Sequence, residues 1–130
     1  GLGLVVIDYI QLMRGEGKNG NRNEELTLIS SGLKTMASRL GAPVIVCAQL
    51  SRQAAAENQP PRLNHFRDSG SIEADADVAI LLHRCVEGAD RTLPVAVDLM
   101  VEKNRTGSCG VVPTTFVGKY QRFMERIEGE

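Results

Sequence analysis

Hydrophobic and polar positions follow two different patterns along the chain. Residues 4–7, 44–48 and 78–82 are almost wholly apolar, which is typical of strands covered on both faces in a parallel sheet. In residues 95–102, Val95, Val97, Leu99 and Val101 take every second position, which predicts a half-covered strand. Pro113 favours an edge strand, because proline has no N–H for a sheet ladder. The chain therefore predicts an α/β fold whose parallel core is extended by antiparallel strands within residues 95–101, 111–117 and 122–127.

One amphipathic helix is predicted between the first two strands. Asn21 or Asn23 suits its N-cap, and Gly41 with Pro43 ends it. A helical crossover makes the two flanking strands parallel partners. The hydrophobic stripe recurs at steps of three and four, at Leu26, Ile29, Leu33, Met36 and Leu40.

A long polar segment separates the second strand from the third. Residues 49–71 contain prolines and few apolar residues, and a connection of this length inside a compact domain is usually functional or disordered. Residues 71–77 predict one helical turn. His65, with no second histidine close to it in sequence, is interpreted as an exposed loop residue.

Composition sets the outer limits of function. The chain has 130 residues, 42% hydrophobic content and a net charge of −1, which is typical of one globular domain or part of one and gives no general affinity for nucleic acid. No apolar run is as long as a membrane span, so we expect a cytoplasmic protein without a membrane partner. The first residues lead almost directly into a buried strand, which indicates a piece of a longer chain.

Asp8 and Gln49 are the first candidates for chemistry. Each follows a buried strand, and the carboxyl ends of parallel strands form the edge where α/β proteins collect ligands. A carboxylate there suits Mg²⁺ that also binds phosphates, and an amide suits a phosphate oxygen or a water molecule. Both residues also suit a plain turn or capping role. The pattern alone leaves a phosphate site and a turn role equally open.

Four segments together resemble one family, the replicative DNA helicases of the DnaB family. "VVIDYIQLM" resembles their Walker B strand, and "VIVCAQLSR" their next strand and polar sensor. "FRDSGSIEADAD" resembles their DNA-binding loop, and "EKNRTG" the hairpin of their arginine finger. The resemblance implies a RecA-like (P-loop NTPase) fold, a three-layer α/β arrangement with antiparallel C-terminal strands. Residues 1–130 would be a partial C-terminal helicase domain, truncated before the Walker B strand.

The resemblance also implies residue roles at the nucleotide. Asp8 would help to hold Mg²⁺ at the phosphates of ATP, directly or through water, and Gln49 would link the γ-phosphate to the DNA loop. Lys103 and Arg105 would reach the nucleotide of a neighbouring subunit and neutralise charge on its γ-phosphate. Without the resemblance, "KNRTG" is more often only a polar hairpin turn.

The resemblance also implies which residues contact DNA and which proteins the chain meets. Arg67, Asp68 and Gly70 would face single-stranded DNA, although Arg67 and Asp68 could equally form a surface ion pair. The full-length parent would be a homo-hexamer that meets a primase and a helicase loader. It would unwind duplex DNA at the replication fork by translocating on a single strand.

The P-loop is missing from the sequence. No G-x-x-x-x-G-K-[ST] motif occurs, and the catalytic glutamate of the family lies before the Walker B strand. We therefore expect that the 130 residues alone neither bind ATP tightly nor hydrolyse it.

Two further interpretations remain open. The alternative function is a non-catalytic RecA-like binding or assembly module, while a response-regulator-like domain explains the long polar segment and the tail less well. In RecA-like sheets the P-loop strand lies between the strands matching residues 44–48 and 78–82. Without it, we expect those strands either to pair directly or to associate with another chain.

Overall fold

The computed structural model describes residues 1–15, 21–51, 60–66, 70–85 and 93–126. The chain divides into two compact units, residues 1–59 with 63–76 and residues 60–62 with 77–130. The first unit contains β1 (Val5–Ile7), α1 (Arg22–Leu40), β2 (Val44–Val46) and α2 (Gly70–Asp75). The second contains β3 (Val78–Arg84), β4 (Val95–Asn104), β5 (Gly110–Val117) and β6 (Arg122–Glu125). None of the described helices is long and apolar enough to cross a membrane.

The first unit confirms the predicted parallel pair of strands. β1 and β2 run parallel, with Val5 opposite Val44 and Ile7 opposite Val46. The pairing continues past β2, since the Cys47 N–H donates to the Ile7 carbonyl at 2.8 Å. Because α1 connects the two strands along the chain, their carboxyl ends share one edge of the sheet.

α1 has the ends that its sequence predicts. The side chain of Asn21 caps the helix by accepting a hydrogen bond from the Asn23 N–H. Gly41 ends it in the left-handed conformation at φ 60°, which glycine adopts without a Cβ penalty. Of the predicted stripe, Leu26 is buried, whereas Leu40 at the far end remains 45% exposed. The predicted helical turn after residue 70 is also confirmed, as α2, which packs against α1.

The second unit confirms the antiparallel tail. Its strands lie in the order β3-β4-β5-β6, and each neighbouring pair is antiparallel. β3 joins this sheet rather than the sheet of β1 and β2. Among the described strands β2 pairs with β1 and β3 pairs with β4, so the predicted direct pairing of residues 44–48 with 78–82 is not observed. Association with another chain stays a prediction.

The predicted edge position of Pro113 is wrong. Pro113 lies in β5, and β5 lies between β4 and β6. The Arg126 N–H donates to the Pro113 carbonyl at 3.4 Å, and the pairing of β6 with β5 covers only Thr114–Val117. The interior strand accommodates proline here because the pairing with β6 ends at Thr114. The nitrogen of Pro113 therefore does not have to donate a hydrogen bond to β6.

The prediction that the apolar strands are covered on both faces is also wrong for the described chain. Val6 in β1 is 58% exposed and Ile45 in β2 is 52% exposed. β3 alternates, with Ala79 and Leu81 buried but Val78, Ile80 and Leu82 exposed. Within the described residues one face is half-buried in β1 and β2 and largely buried in β3, and the other face of all three strands is exposed.

Candidate functional site

The edge formed by β1 and β2 carries the first two candidate residues. Asp8 directly follows β1, and Gln49 follows β2 after Cys47 and Ala48. Since the strands are parallel, the structure places both residues at the same edge, as the sequence predicted. Both residues are exposed. The carboxylate and the amide are therefore accessible to a ligand at this edge.

Gln11 is a residue of this edge that the sequence patterns did not reveal. It lies in a short 3-10 helix, Ile10–Leu12, which follows Asp8 and Tyr9. Its side-chain Nε2 donates to the Gln49 carbonyl at 3.1 Å, and the Gln49 N–H donates to its Oε1 at 3.3 Å. One amide thus occupies both main-chain groups of Gln49. Nothing in the hydrophobic periodicity singles out Gln11, and only its place beside Asp8 in "VVIDYIQLM" could have drawn attention to it.

The first turn of α1 holds the segment that carries Gln11. Arg22 Nη2 donates to the carbonyls of Gln11 at 2.7 Å and Met13 at 3.1 Å. Arg22 also pairs with Glu25, whose Oε1 accepts a hydrogen bond from the Gly15 N–H at 2.7 Å. The Gly15 N–H, and then the hydrogen bond from Arg22, hold the pKa of Glu25 below its ordinary value. The start of α1 is therefore tied to the chain that leaves β1.

The donor set at this edge suits a metal that phosphates also bind. Asp8 contributes one carboxylate, and the described ranges contain no group of three or more His, Cys, Asp or Glu residues that could hold a metal ion. Mg²⁺ commonly takes one or two protein carboxylates, keeps several waters and binds substrate phosphates. A single carboxylate such as that of Asp8 is the kind of protein ligand that a magnesium–nucleotide complex takes.

The end of β4 and the turn that follows it carry the second pair of candidates. Lys103 lies in β4 opposite Ala79 of β3, and Arg105 directly follows β4. Asn104 shapes the turn, because its Oδ1 accepts from the Thr106 N–H at 3.3 Å and its Nδ2 donates to the Ser108 carbonyl at 3.2 Å.

A side chain at residue 107 would press against that turn. A Cβ at residue 107 would lie 2.6 Å from Asn104 Nδ2, closer than real Cβ contacts. The amide of Asn104 would have to shift to make room. Asn104 and Gly107 together therefore fix the conformation in which Arg105 is presented.

Arg105 stays at the surface of its unit. Its side chain is 51% exposed, and its Nη1 lies 3.7 Å from Asp77 Oδ1, on a side chain that is 59% exposed. Its N–H donates to the Asp77 carbonyl at 2.9 Å. Exposed ion pairs of this kind contribute little to stability. The main chain at residue 105 is thus held in place while the guanidinium group remains accessible.

The residues with an expected DNA role are only partly described. Gly70 is exposed and begins α2, whereas Arg67 and Asp68 lie outside the described residues. His65 is buried, with 5% of its surface exposed, so its interpretation as an exposed loop residue is wrong. The Ser51 N–H donates to the His65 carbonyl at 3.0 Å, which joins the two ends of a polar segment in a way that local sequence does not indicate.

Comparisons with known proteins agree on one family. The family model for the DnaB-like helicase C-terminal domain matches residues 1–125. The replicative DNA helicase DnaB of Geobacillus stearothermophilus is 38% identical over 127 residues, and that of Leifsonia xyli is 41% identical over 129 residues. These matches cover 95% and 96% of the chain, but the chain spans only 28% of the length of each relative.

Solved structures give the same result. One solved ATPase domain is similar to this chain with a TM-score of 0.85 and 33% sequence identity. The match covers 95% of this chain and 44% of the solved chain. A DnaB-like replicative helicase, studied with its interactions with primase, has a TM-score of 0.85 and 32% identity, covering 95% of this chain and 30% of its own.

Proposed function

Because the chain belongs to the DnaB-like helicase C-terminal domain family and has a RecA-like fold, we propose that it is part of an ATP-dependent replicative DNA helicase. The observation that carries this proposal is the placement of Asp8 and Gln49 after two adjacent parallel strands. A carboxylate and a neutral amide at one edge suit a magnesium–nucleotide complex. The full-length protein would unwind duplex DNA at the replication fork while translocating on a single strand.

Asp8 and Gln49 have separate roles in this proposal. Asp8 would hold Mg²⁺ at the ATP phosphates, directly or through water, and the metal would neutralise phosphate charge. Gln49 would contact the γ-phosphate through its side-chain amide and link it to the DNA loop. Their exposure at the sheet edge supports both roles.

Lys103 and Arg105 would act on the nucleotide of a neighbouring subunit in a homo-hexamer. Cations at a fixed turn suit the neutralisation of charge that develops on a γ-phosphoryl group. The surface position of Arg105 and the turn built by Asn104 and Gly107 support this role. An arginine supplied in trans contributes about 10³ to 10⁵ in rate in phosphoryl-transfer enzymes.

Arg67, Asp68 and Gly70 would contact single-stranded DNA. Gly70 supports this assignment because it is exposed, and a residue without a Cβ lets a phosphate approach the main chain. A primase would be a further partner, as it is for the solved DnaB-like helicase with which this chain was compared, and a helicase loader would be another. A replicative role would place the full-length protein with the chromosome in the cytoplasm.

Mixing of variants tests the trans role of Arg105 in the full-length protein. We expect Arg105→Ala to lower DNA-stimulated ATP hydrolysis by about 10³ or more. Mixed hexamers with a P-loop variant should regain activity, because each variant supplies what the other lacks. Arg122→Ala, which changes an exposed arginine of β6, is the matched control and should remain active. Failure of the mixture to regain activity would remove the trans assignment.

A non-catalytic module remains the second candidate, because residues 1–130 contain no G-x-x-x-x-G-K-[ST] motif. Such a module would bind or assemble without hydrolysing ATP. The coding sequence directly before Gly1 distinguishes the two candidates. A P-loop in the same reading frame supports the helicase, and its absence supports the module.

A further inference from the structure

We propose that Gln11 is a positioning residue that sets the orientation of Gln49 at the nucleotide edge. This inference rests on the role proposed for Gln49 and goes beyond it, because it assigns to another residue the geometry on which that role depends. The observation is the pair of hydrogen bonds that joins the Gln11 side chain to the N–H and the carbonyl of Gln49.

Two hydrogen bonds to the main chain of Gln49 restrict its orientation more than a single hydrogen bond would. A single hydrogen bond would let the main chain at Gln49 rotate about the donor–acceptor line. With its N–H held at 3.3 Å and its carbonyl at 3.1 Å by one planar amide, Gln49 retains little of that freedom. The direction in which its side chain leaves the main chain is then set by Gln11.

Gln11 is itself held from two sides. Ile10, the preceding residue, is 1% exposed, and its N–H donates to the Cys47 carbonyl at 2.9 Å. The carbonyl of Gln11 accepts a hydrogen bond from Arg22 Nη2 at 2.7 Å. The clamp, formed by the two hydrogen bonds between Gln11 and Gln49, is therefore anchored on a buried side chain and on the first turn of α1.

Burial does not explain the contacts between Gln11 and Gln49. Gln49 is exposed and Gln11 is half-buried, so water could satisfy the same main-chain groups at little cost. A side chain that uses both ends of its amide on an exposed residue contributes mainly to position. A second glutamine, Gln121, provides a contrast, because its Nε2 donates to the carbonyl of Gly118 within its own turn.

Two variants of the full-length protein separate the two contacts. Gln11→Leu removes both hydrogen bonds. Gln11→Glu keeps the shape and an acceptor for the Gln49 N–H, but it places a carboxylate oxygen against the Gln49 carbonyl instead of a donor. Gln121→Leu and Gln121→Glu are the matched controls.

Hydrogen exchange measures the clamp without ATP. In Gln11→Leu we expect the Gln49 amide to exchange at least about tenfold faster than in the parent protein, because its acceptor is gone. The Gln121 variants should leave that amide unchanged. An unchanged Gln49 amide in Gln11→Leu would overturn the inference.

Kinetics measure what the clamp positions. We expect both Gln11 variants to lower kcat of DNA-stimulated ATP hydrolysis by about tenfold or more while KM for ATP changes by less than about threefold. A residue that only supported the fold would lower the fraction of active protein, and the kcat per active site would stay constant. An unchanged kcat per active site in both Gln11 variants would overturn the inference.

Gln49→Ala makes the two proposals separable. If it lowers kcat and the addition of Gln11→Leu lowers kcat no further, the two residues act as one unit, as we expect. If Gln49→Ala lowers kcat and Gln11→Leu adds its full effect independently, the positioning role is wrong while the role of Gln49 stands. If Gln49→Ala leaves kcat unchanged, the role proposed for Gln49 fails, and the positioning role fails with it.

Discussion

Ser30 Oγ donates a hydrogen bond to Asp75 Oδ2 at 2.7 Å, which joins α1 to the last residue of α2. Ser30 is buried, with 6% of its surface exposed. Because α2 begins at Gly70, this bond fixes the short helix that follows the segment assigned to DNA binding. The buried hydroxyl of Ser30 thus serves to hold α2 against α1.

Ser30→Ala is expected to destabilise the full-length protein. The change leaves a carboxylate that faces the helix without its donor, at a cost of about 1–3 kcal/mol. Thermal unfolding should show a lowered midpoint. Ser31→Ala is the matched control, because the exposed Ser31 hydroxyl donates only to the Leu28 carbonyl of its own helix. Equal shifts in the two variants would contradict the assignment.

Gly107→Ala is expected to impair ATP hydrolysis through the turn that carries Arg105. The added Cβ would lie 2.6 Å from Asn104 Nδ2, so the amide that donates to the Ser108 carbonyl has to shift. A misplacement of about 1 Å at a reacting group lowers the rate by about 10²-fold. DNA-stimulated ATPase activity measures the effect. Gly110→Ala is the control, since a Cβ there meets no atom within 4 Å, and equal activity of the two variants would remove the positioning argument.

Asp77→Asn separates a catalytic from a structural role of Arg105. The exposed ion pair contributes about 0–1 kcal/mol, and the hydrogen bond between the two main chains remains. We expect ATPase activity to change by less than about fivefold, far less than with Arg105→Ala. If Asp77→Asn abolishes activity as fully as Arg105→Ala does, Arg105 acts by holding Asp77 and not on a nucleotide.

Glu25 makes the stability of the fold depend on pH. Its lowered pKa means that its hydrogen bonds stabilise the fold above the ordinary pKa of glutamate, and that this stabilisation is lost as the pH falls through the lowered value. Glu25→Gln should therefore unfold at a lower temperature than the parent protein near neutral pH. The difference should shrink as the pH falls, which thermal unfolding at a series of pH values measures. Glu24→Gln, in the same first turn, is the control.

Local patterns were sufficient for the elements that local residues determine. Asn21 and Gly41 predicted both ends of α1, because capping depends on residues a few positions apart. The parallel pairing of β1 and β2 followed from the helix between them. The position of Asp8 and Gln49 at one edge followed in turn from that pairing.

Contacts between distant residues were beyond the same patterns. Pro113 lies in an interior strand because β6 pairs with β5, and the buried His65 accepts a main-chain hydrogen bond from Ser51, far from it in sequence. Gln11 and Gln49 are 38 positions apart and meet through an amide and a main chain. A contact between a polar side chain and a distant main chain does not change the pattern of hydrophobic residues, so the sequence pattern cannot predict it.

The alternating face of β3 has a practical consequence at the bench. The side chains of Val78, Ile80 and Leu82 form an exposed hydrophobic patch on β3. Residues 1–130 expressed on their own would therefore tend to precipitate or to be retained by chaperones in the host cell. Gel filtration without detergent would show such association as material that elutes ahead of the monomer.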